Sequence, residues 1–540
     1  MQMKRFTLTL AAAWFAISIA VPAQTTAPAA SRAERAFAAA KKAGAPELYA
    51  FLKPFPKGAD LHMHLSGAIY AETFIREATA QGLCVDKTAL KFEKPTKPGK
   101  CADGQLLATD AVKDQGLYDK LINSFSMRSF VPYAGYSAHD QFFDTFDRFG
   151  GLKDMYGEWL DEVATRAAAQ NEQYLEVMST PPFSNAAAAG NKFGWPADFN
   201  DANHVAQLAK LRDELLAGGL RNDIAIDTKQ LADAQADRMS HEQDECLRHP
   251  YSPKSEVSIG APQPKPGDPA CTVKIHYLYQ VLRGFPPQQV FAQTLLGFEL
   301  ASAHPEQVVG INFVRAEDRR DAMDEYHTEM LMLDYLHSVY PKVRISLHAG
   351  ELAPGMVPPD GLSFHIREAI DLGHAERIGH GVDVLHEDRP AELLKQMASN
   401  HIMVEVNLTS NDVILGIKDT DHPLHAYMAA HVPWALSTDD EGVSRIDLTH
   451  EYVKGVLEQN LTYADLKQSA RTSLEHAFLA GPSLWASPDN FARRNAACAG
   501  PISANAIAPR ACQDFLKTSE RATQQFELER RFAAFEATIK

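Results

Sequence analysis

Only six cysteines occur in 540 residues and none form a Cys-x-x-Cys pair, which leaves no basis for a thiolate zinc site. Lysine and arginine, 53 against 69 acidic residues, nowhere cluster, and the formal charge of −16 argues against a nucleic-acid or anionic-membrane surface. Past residue 21 no apolar run is long enough to span a bilayer. The chain also lacks internal repeats and a glycine-rich loop for a nucleotide phosphate. What remains is ordinary globular composition, 45% hydrophobic and 23% charged, with length for one large domain plus additions.

The beginning of the chain indicates a compartment. Lys4 and Arg5 precede the apolar run 6–21, and Val21 and Ala23 are the small residues before a cut at Gln24. Residues 1–23 therefore read as a secretory signal, and the mature protein as exported, periplasmic or secreted, with no membrane attachment after cleavage. The cysteines suit an oxidising compartment and fall into three local pairs, Cys84 with Cys101, Cys246 with Cys271 and Cys498 with Cys512. Other pairings are equally allowed by the count.

Strand-like segments occur at 57–65, 173–179, 273–278, 308–314, 343–348, 377–380, 403–408 and 432–437, with helical patterns between them. In 153–170, for example, Met155, Trp159 and Val163 recur at helical spacing. Eight βα units predict a closed (β/α)8 barrel, an α/β TIM barrel, over 56–480. A helical segment at 24–55 precedes it. Two Lys/Pro/Gly-rich stretches, 84–115 and 234–271, read as disulfide-stapled insertions. A C-terminal helical extension, 481–540, ends in a helix over 519–540 whose stripe Leu528, Phe532, Phe535 and Ile539 packs on the barrel or on a second subunit of a homodimer.

Strand parity selects the candidate site. Val343, Ile345 and Leu347 share one face of their strand, which leaves His348 on the other just before an Ala-Gly turn and Glu351. In the first strand Asp60, His62 and His64 share a face. Asp439 and Asp440 follow the eighth strand, and His380 lies between two glycines after the sixth. Three histidines and an aspartate at strand ends suit one zinc ion, which accepts nitrogen and carboxylate ligands and leaves a position for water. Each residue also has a plainer reading: a core histidine bonded to a carbonyl, or an aspartate capping a helix.

Four motifs, His62-Met63-His64-Leu65, His348-Ala349-Gly350-Glu351, Gly379-His380-Gly381 and Ser437-Thr438-Asp439-Asp440, together resemble the signatures of the adenosine deaminase family in that family's order. The helix-forming run 466–475 resembles the family's helix after its last strand, and the likeness extends from about Pro56 to Leu479. The signal, insertions and cysteines resemble the family's secreted growth-factor-like branch. The resemblance implies zinc-dependent hydrolytic deamination of adenosine or 2'-deoxyadenosine in a TIM barrel, with His62, His64, His348 and Asp439 as zinc ligands. Glu351 would protonate the purine ring, His380 would orient the attacking water, and Asp440 would bond the five-membered edge of the base. His64, Ser66, Gly67 and Arg315 would complete the substrate site.

Three departures concern the substrate. Ser66 stands where the family often carries an aspartate for the ribose 5' end, Arg315 where it has a glycine against the base, and Glu441 where proline is common. An arginine in that place points to an alternative substrate, another 6-amino or N6-substituted purine, including a phosphorylated one. A rival of another class is a non-catalytic exported protein that binds nucleosides as signals. Two-metal relatives of similar fold use a modified lysine on the fourth strand. Here that strand reads Val309-Gly310-Ile311-Asn312-Phe313-Val314-Arg315, which favours one metal.

Overall fold

The computed structural model describes residues 30–153, 155–246, 272–504 and 507–540. Eight strands form one parallel sheet in chain order: β1 Gly58–His64, β2 Glu172–Ser179, β3 Lys274–Leu282, β4 Val308–Val314, β5 Arg344–Ala349, β6 Arg377–His380, β7 Met403–Val406 and β8 Trp434–Leu436. Every neighbouring pair is parallel. The last strand returns to the first through two backbone bonds, Asp439 N–H to the His62 carbonyl at 2.8 Å and His64 N–H to the Asp439 carbonyl at 3.3 Å. Asp60 strengthens this seam by accepting from the N–H and hydroxyl of Thr438 at 3.1 and 2.6 Å. The barrel expected from the βα alternation is present, with each strand within a few residues of its expected bounds.

The strands are buried along almost their whole length because helices cover the outside and side chains fill the inside. On β5, Ile345 and Leu347 join the apolar core. Ser346 and His348 face inward, where Ser346 Oγ donates to Glu405 on β7 at 2.9 Å. Parity therefore puts polar groups inside the barrel and apolar groups beneath the helices.

At the N-terminal end of the strands the barrel is plugged. Helices Arg32–Ala43 and Ala45–Leu52, broken at Gly44, lie there with the final helix Glu520–Thr538. Phe55 meets Phe532 and Phe535 at ring distances of 5.5 and 5.7 Å. The stripe expected on the last helix is thus spent on the barrel itself. Lys57 is buried beside it and donates to the carbonyls of Leu52, Lys53, Phe55 and Gln170 at 2.7–3.2 Å.

The first expected insertion carries regular structure: a three-stranded antiparallel sheet with Cys84–Asp86 between Lys91–Glu93 and Gln105–Leu107, closed by the Cys84–Cys101 disulfide. The second begins later than expected, because the helix Asn222–Cys246 runs unbroken through position 234. Cys498 and Cys512 are also bonded. The pairing expected of Cys246 with Cys271 falls on side chains outside the described residues, as does the signal segment 1–23. Among the described residues no helix is long and apolar enough to cross a membrane.

Candidate metal centre and active site

His62, His64, His348 and Asp439 meet at the C-terminal end of the barrel, all buried. Nε2 of His348 stands 3.1 Å from Nε2 of His62 and 3.2 Å from Nε2 of His64. Asp439 Oδ1 lies 3.5 and 3.2 Å from the same two nitrogens of His62 and His64. Four ligands placed tetrahedrally about 2.0 Å from one ion are about 3.3 Å apart. The donor set, three imidazoles and one carboxylate, has the spacing and chemistry of a mononuclear zinc-type site.

Behind each histidine stands an acceptor. Nδ1 of His62 donates to Glu405 Oε2 at 2.7 Å, that of His64 to Gln280 Oε1 at 2.6 Å, and that of His348 to Asn312 Oδ1 at 2.8 Å. The Asn312 amide is oriented by its own donation to the Ser346 carbonyl at 2.9 Å, so its oxygen must face the ring. Holding the proton on Nδ1 turns every Nε2 lone pair into the centre. Glu405 is in turn paired with buried Arg377 at 2.7 Å, and Arg377 with Glu176 at 2.7 Å.

The electrostatics fit a site waiting for a cation. Burial opposes charge on His62, yet Asp439 and Glu405 outweigh it and raise the ring to about 10. Burial and the neighbouring histidines push His348 well down. Asp439, despite burial, is held well below the usual carboxylate range by its bonds to His62 and His64.

Glu351 follows β5 on a turn that only glycine can make comfortably. Gly350 has a φ of +75°, and a Cβ there would meet Asp383 Oδ1 at 2.4 Å. Glu317, from the loop after β4, accepts from the N–H groups of Gly350 and Glu351 at 3.0 and 2.7 Å and from Nδ1 of His365 at 2.6 Å. Although burial raises a carboxyl, His365 holds Glu317 down at about 2. Glu351 itself is pushed well up, by burial first and then by Asp439 and Glu317. Its Oε1 lies 3.6 Å from His380 Nδ1. His380, ending β6 with a φ of +70°, stays neutral, because burial lowers it to about 3.

Asp440 lies directly against Gly67, where a Cβ would clash with its carboxylate at 1.5 Å, and its Oδ1 has no hydrogen-bond partner among the described residues. Burial and the adjacent Asp439 raise it to about 7. Ser66 opens instead on a cavity of about 580 Å³ with Thr180, Phe183 and Gln280 in its wall. Arg315 is tied to Asp321 at 2.5 Å on the rim. Glu441, noted for replacing a proline, pairs with Arg166 at 2.6 Å. A larger cavity of about 1070 Å³ at the barrel mouth is lined by Asp140, Asp318, Asp321, Asp324 and Glu325 alongside His139, Arg319 and Arg320.

Reading the sequence missed Glu405, Gln280, Asn312 and Glu317, the groups that hold the centre in place. Three of these sit inside strands as lone polar residues, in Val404-Glu405-Val406, Tyr279-Gln280-Val281 and Ile311-Asn312-Phe313, and that isolation was the available signal.

Residues 264–484 match the family model described as adenosine deaminase. The chain is 38% identical over 136 residues to the adenosine deaminase of Shewanella loihica and 36% identical over 136 residues to that of Shewanella denitrificans; each match covers 25% of this chain. The chain spans 38% of the length of each of these curated relatives. Among solved structures, it is similar to an N6-mAMP deaminase from Arabidopsis, at 20% identity and a TM-score of 0.47 over 79% of this chain and 95% of that one. An adenine deaminase from Arthrobacter aurescens gives 16% identity and a TM-score of 0.47 over 79% and 94%. At those values neither likeness bears on substrate. The matched segment contains His348, Glu351, His380, Asp439 and Asp440, while the fold delivers His62 and His64 from outside it. Over residues 264–484 the chain is thus similar to the adenosine deaminase family.

Proposed function

We propose that the protein is a zinc-dependent hydrolase that deaminates adenosine or 2'-deoxyadenosine to inosine or deoxyinosine and ammonia. The observation that carries this reading is the convergence of three imidazole Nε2 atoms and Asp439 beside Glu351 and His380. His62, His64, His348 and Asp439 would hold one zinc ion per chain. When bound, the ion supplies a way to make water nucleophilic near neutral pH.

The remaining chemistry belongs to the chain. Glu351, kept protonated by burial, gives its proton to the ring nitrogen beside the carbon that bears the amino group, which makes that carbon a better electrophile. His380 is neutral and steadies the attacking oxygen through a hydrogen bond. Asp440, with a buried oxygen that lacks a partner among the described residues, bonds the five-membered edge of the base. His64, Ser66 and Gly67 would complete the substrate site.

Arg315 supports the nucleoside over a phosphorylated substrate, because its guanidinium is already paired with Asp321. Export remains part of the proposal, supported by the residues at the chain's start and by two disulfides, which persist in oxidising compartments.

The test is ammonia release from adenosine, deoxyadenosine, adenosine monophosphate and an N6-methyl purine nucleoside, with and without a zinc chelator. Chelator-sensitive release from the nucleosides is expected. Turnover of the monophosphate alone would replace the nucleoside reading. Zinc bound with no turnover of any substrate would favour the binding protein.

A further inference from the structure

A hydrogen-bonded chain behind His380 fixes which of its nitrogens carries the proton. Leu424 donates its backbone N–H to Nδ1 of His422 at 3.1 Å. A backbone amide can only donate, so that nitrogen is bare and the ring's proton sits on Nε2. Nε2 of His422 is 3.1 Å from Asn411 Oδ1, and Asn411 Nδ2 is 3.0 Å from His380 Nδ1.

The amide cannot be turned round. With its oxygen toward His380, its NH₂ would donate to His422 Nε2, and both nitrogens of that ring would then be acceptors, which requires an imidazolate. One backbone N–H therefore sets the direction of the relay, and the Asn407 amide nitrogen, 3.5 Å from His380 Nδ1, can donate to the same atom. His380 Nδ1 accepts, and the neutral ring carries its proton on Nε2.

All three side chains are buried. Nε2 of His380 has no hydrogen-bond partner among the described residues. Its ring packs against His62 and His348 with centroids 4.9 and 5.2 Å apart.

We propose that Asn411 and His422 are positioning residues that hold His380 as its Nε2–H tautomer, so that His380 donates a hydrogen bond to the oxygen attacking the purine and does not take a proton from it. The catalytic half of this statement rests on the proposed deaminase function; the tautomer does not. The donor role follows because a neutral ring with a protonated Nε2 has no lone pair at that atom to act as a base.

The experiment is ¹⁵N spectroscopy of histidine-labelled, zinc-loaded full-length protein, with His380 assigned by its disappearance in His380→Gln. The wild type should show a bare Nδ1 and a protonated Nε2. In Asn411→Asp the carboxylate can only accept, so Nδ1 should become protonated, and kcat should fall about 10- to 100-fold with KM within about twofold. A wild-type ring protonated on Nδ1 overturns the proposal, as does an Asn411→Asp protein that moves the proton and keeps its kcat.

Should Asn411→Asp fail to fold, His422→Phe frees the amide to turn and should give His380 in two tautomers. A single unchanged tautomer there would dismiss the relay. A wild type inactive on every purine counts against the proposed function and leaves the spectroscopic result standing.

Discussion

Asp439 donates its backbone N–H to the carbonyl of His62 at 2.8 Å while its carboxylate stands 3.5 Å from Nε2 of the same histidine. The hydrogen bond that closes the barrel and the group that could hold a metal are thus one contact between β1 and the end of β8. Asp439 has a φ of +61°, a conformation that aspartate and asparagine tolerate better than most residues. Asp439→Asn should keep the backbone seam and cooperative unfolding, yet weaken metal binding about 100-fold or more. Metal titration with circular dichroism separates the two, and loss of fold together with metal would show that the seam needs the carboxylate.

Glu405 gives the second prediction. It accepts from His62 Nδ1 and Ser346 and is paired with Arg377, all of them buried. Glu405→Gln can still accept from His62 but removes the charge that makes the ring a stronger ligand. Zinc affinity should fall about 10- to 100-fold. It also leaves Arg377 with Glu176 alone, so the melting temperature should drop even without metal. Competition against a chelator reads the first effect and calorimetry of the metal-free protein the second; unchanged affinity would remove Glu405 from the support of the site.

Glu351 should behave differently from either. It lies three residues beyond His348 on the turn held by Glu317, within reach of His380 but outside the four-ligand group. Glu351→Gln should retain metal near the wild-type level and lose about 10² to 10⁴ of the rate, the usual contribution of a positioned acid. Turnover near normal, measured with metal content verified, would take Glu351 out of the mechanism.

How much of this the sequence could reveal depended on periodicity. The eight strands were legible because each is short, apolar and followed by a helical repeat, and the inward side of β5 was legible from Ile345 and Leu347 alone. The helix running past position 234 was not, since no residue pattern there decides between helix and loop, while the break at Gly44 was signalled by that glycine and by Pro46 in the first turn of the next helix and was passed over. His62, His64, His348, Glu351, His380 and Asp439 stood out because chemistry at strand ends uses few residue types. Glu317, Asn411 and His422 did not: they act through bonds to residues 31 to 48 positions away or to one another, and only the folded chain brings them together.

Glu451 supplies a prediction about stability that does not involve the metal. Its carboxyl is buried, accepts from Thr409, and is raised to about 8, chiefly by burial. Because its ordinary value is 4.5, the native protein binds more proton than the unfolded chain between those two values. Unfolding free energy changes with pH in proportion to protons bound by the unfolded minus the native state, which is negative here. The stability Glu451 confers is therefore full below about pH 4.5 and is lost as pH rises through about 8. Its largest slope is about 1.4 kcal/mol per pH unit. Glu451→Gln keeps the shape and an acceptor for Thr409 but cannot ionise. Urea unfolding of both proteins at intervals from pH 5 to pH 8 should give a flatter profile for the variant, because other buried carboxyls such as Glu387 contribute equally to both. Parallel profiles would mean that Glu451 finds a compensating charge on ionising, with Lys454, which already lowers its pKa, as the first group to examine.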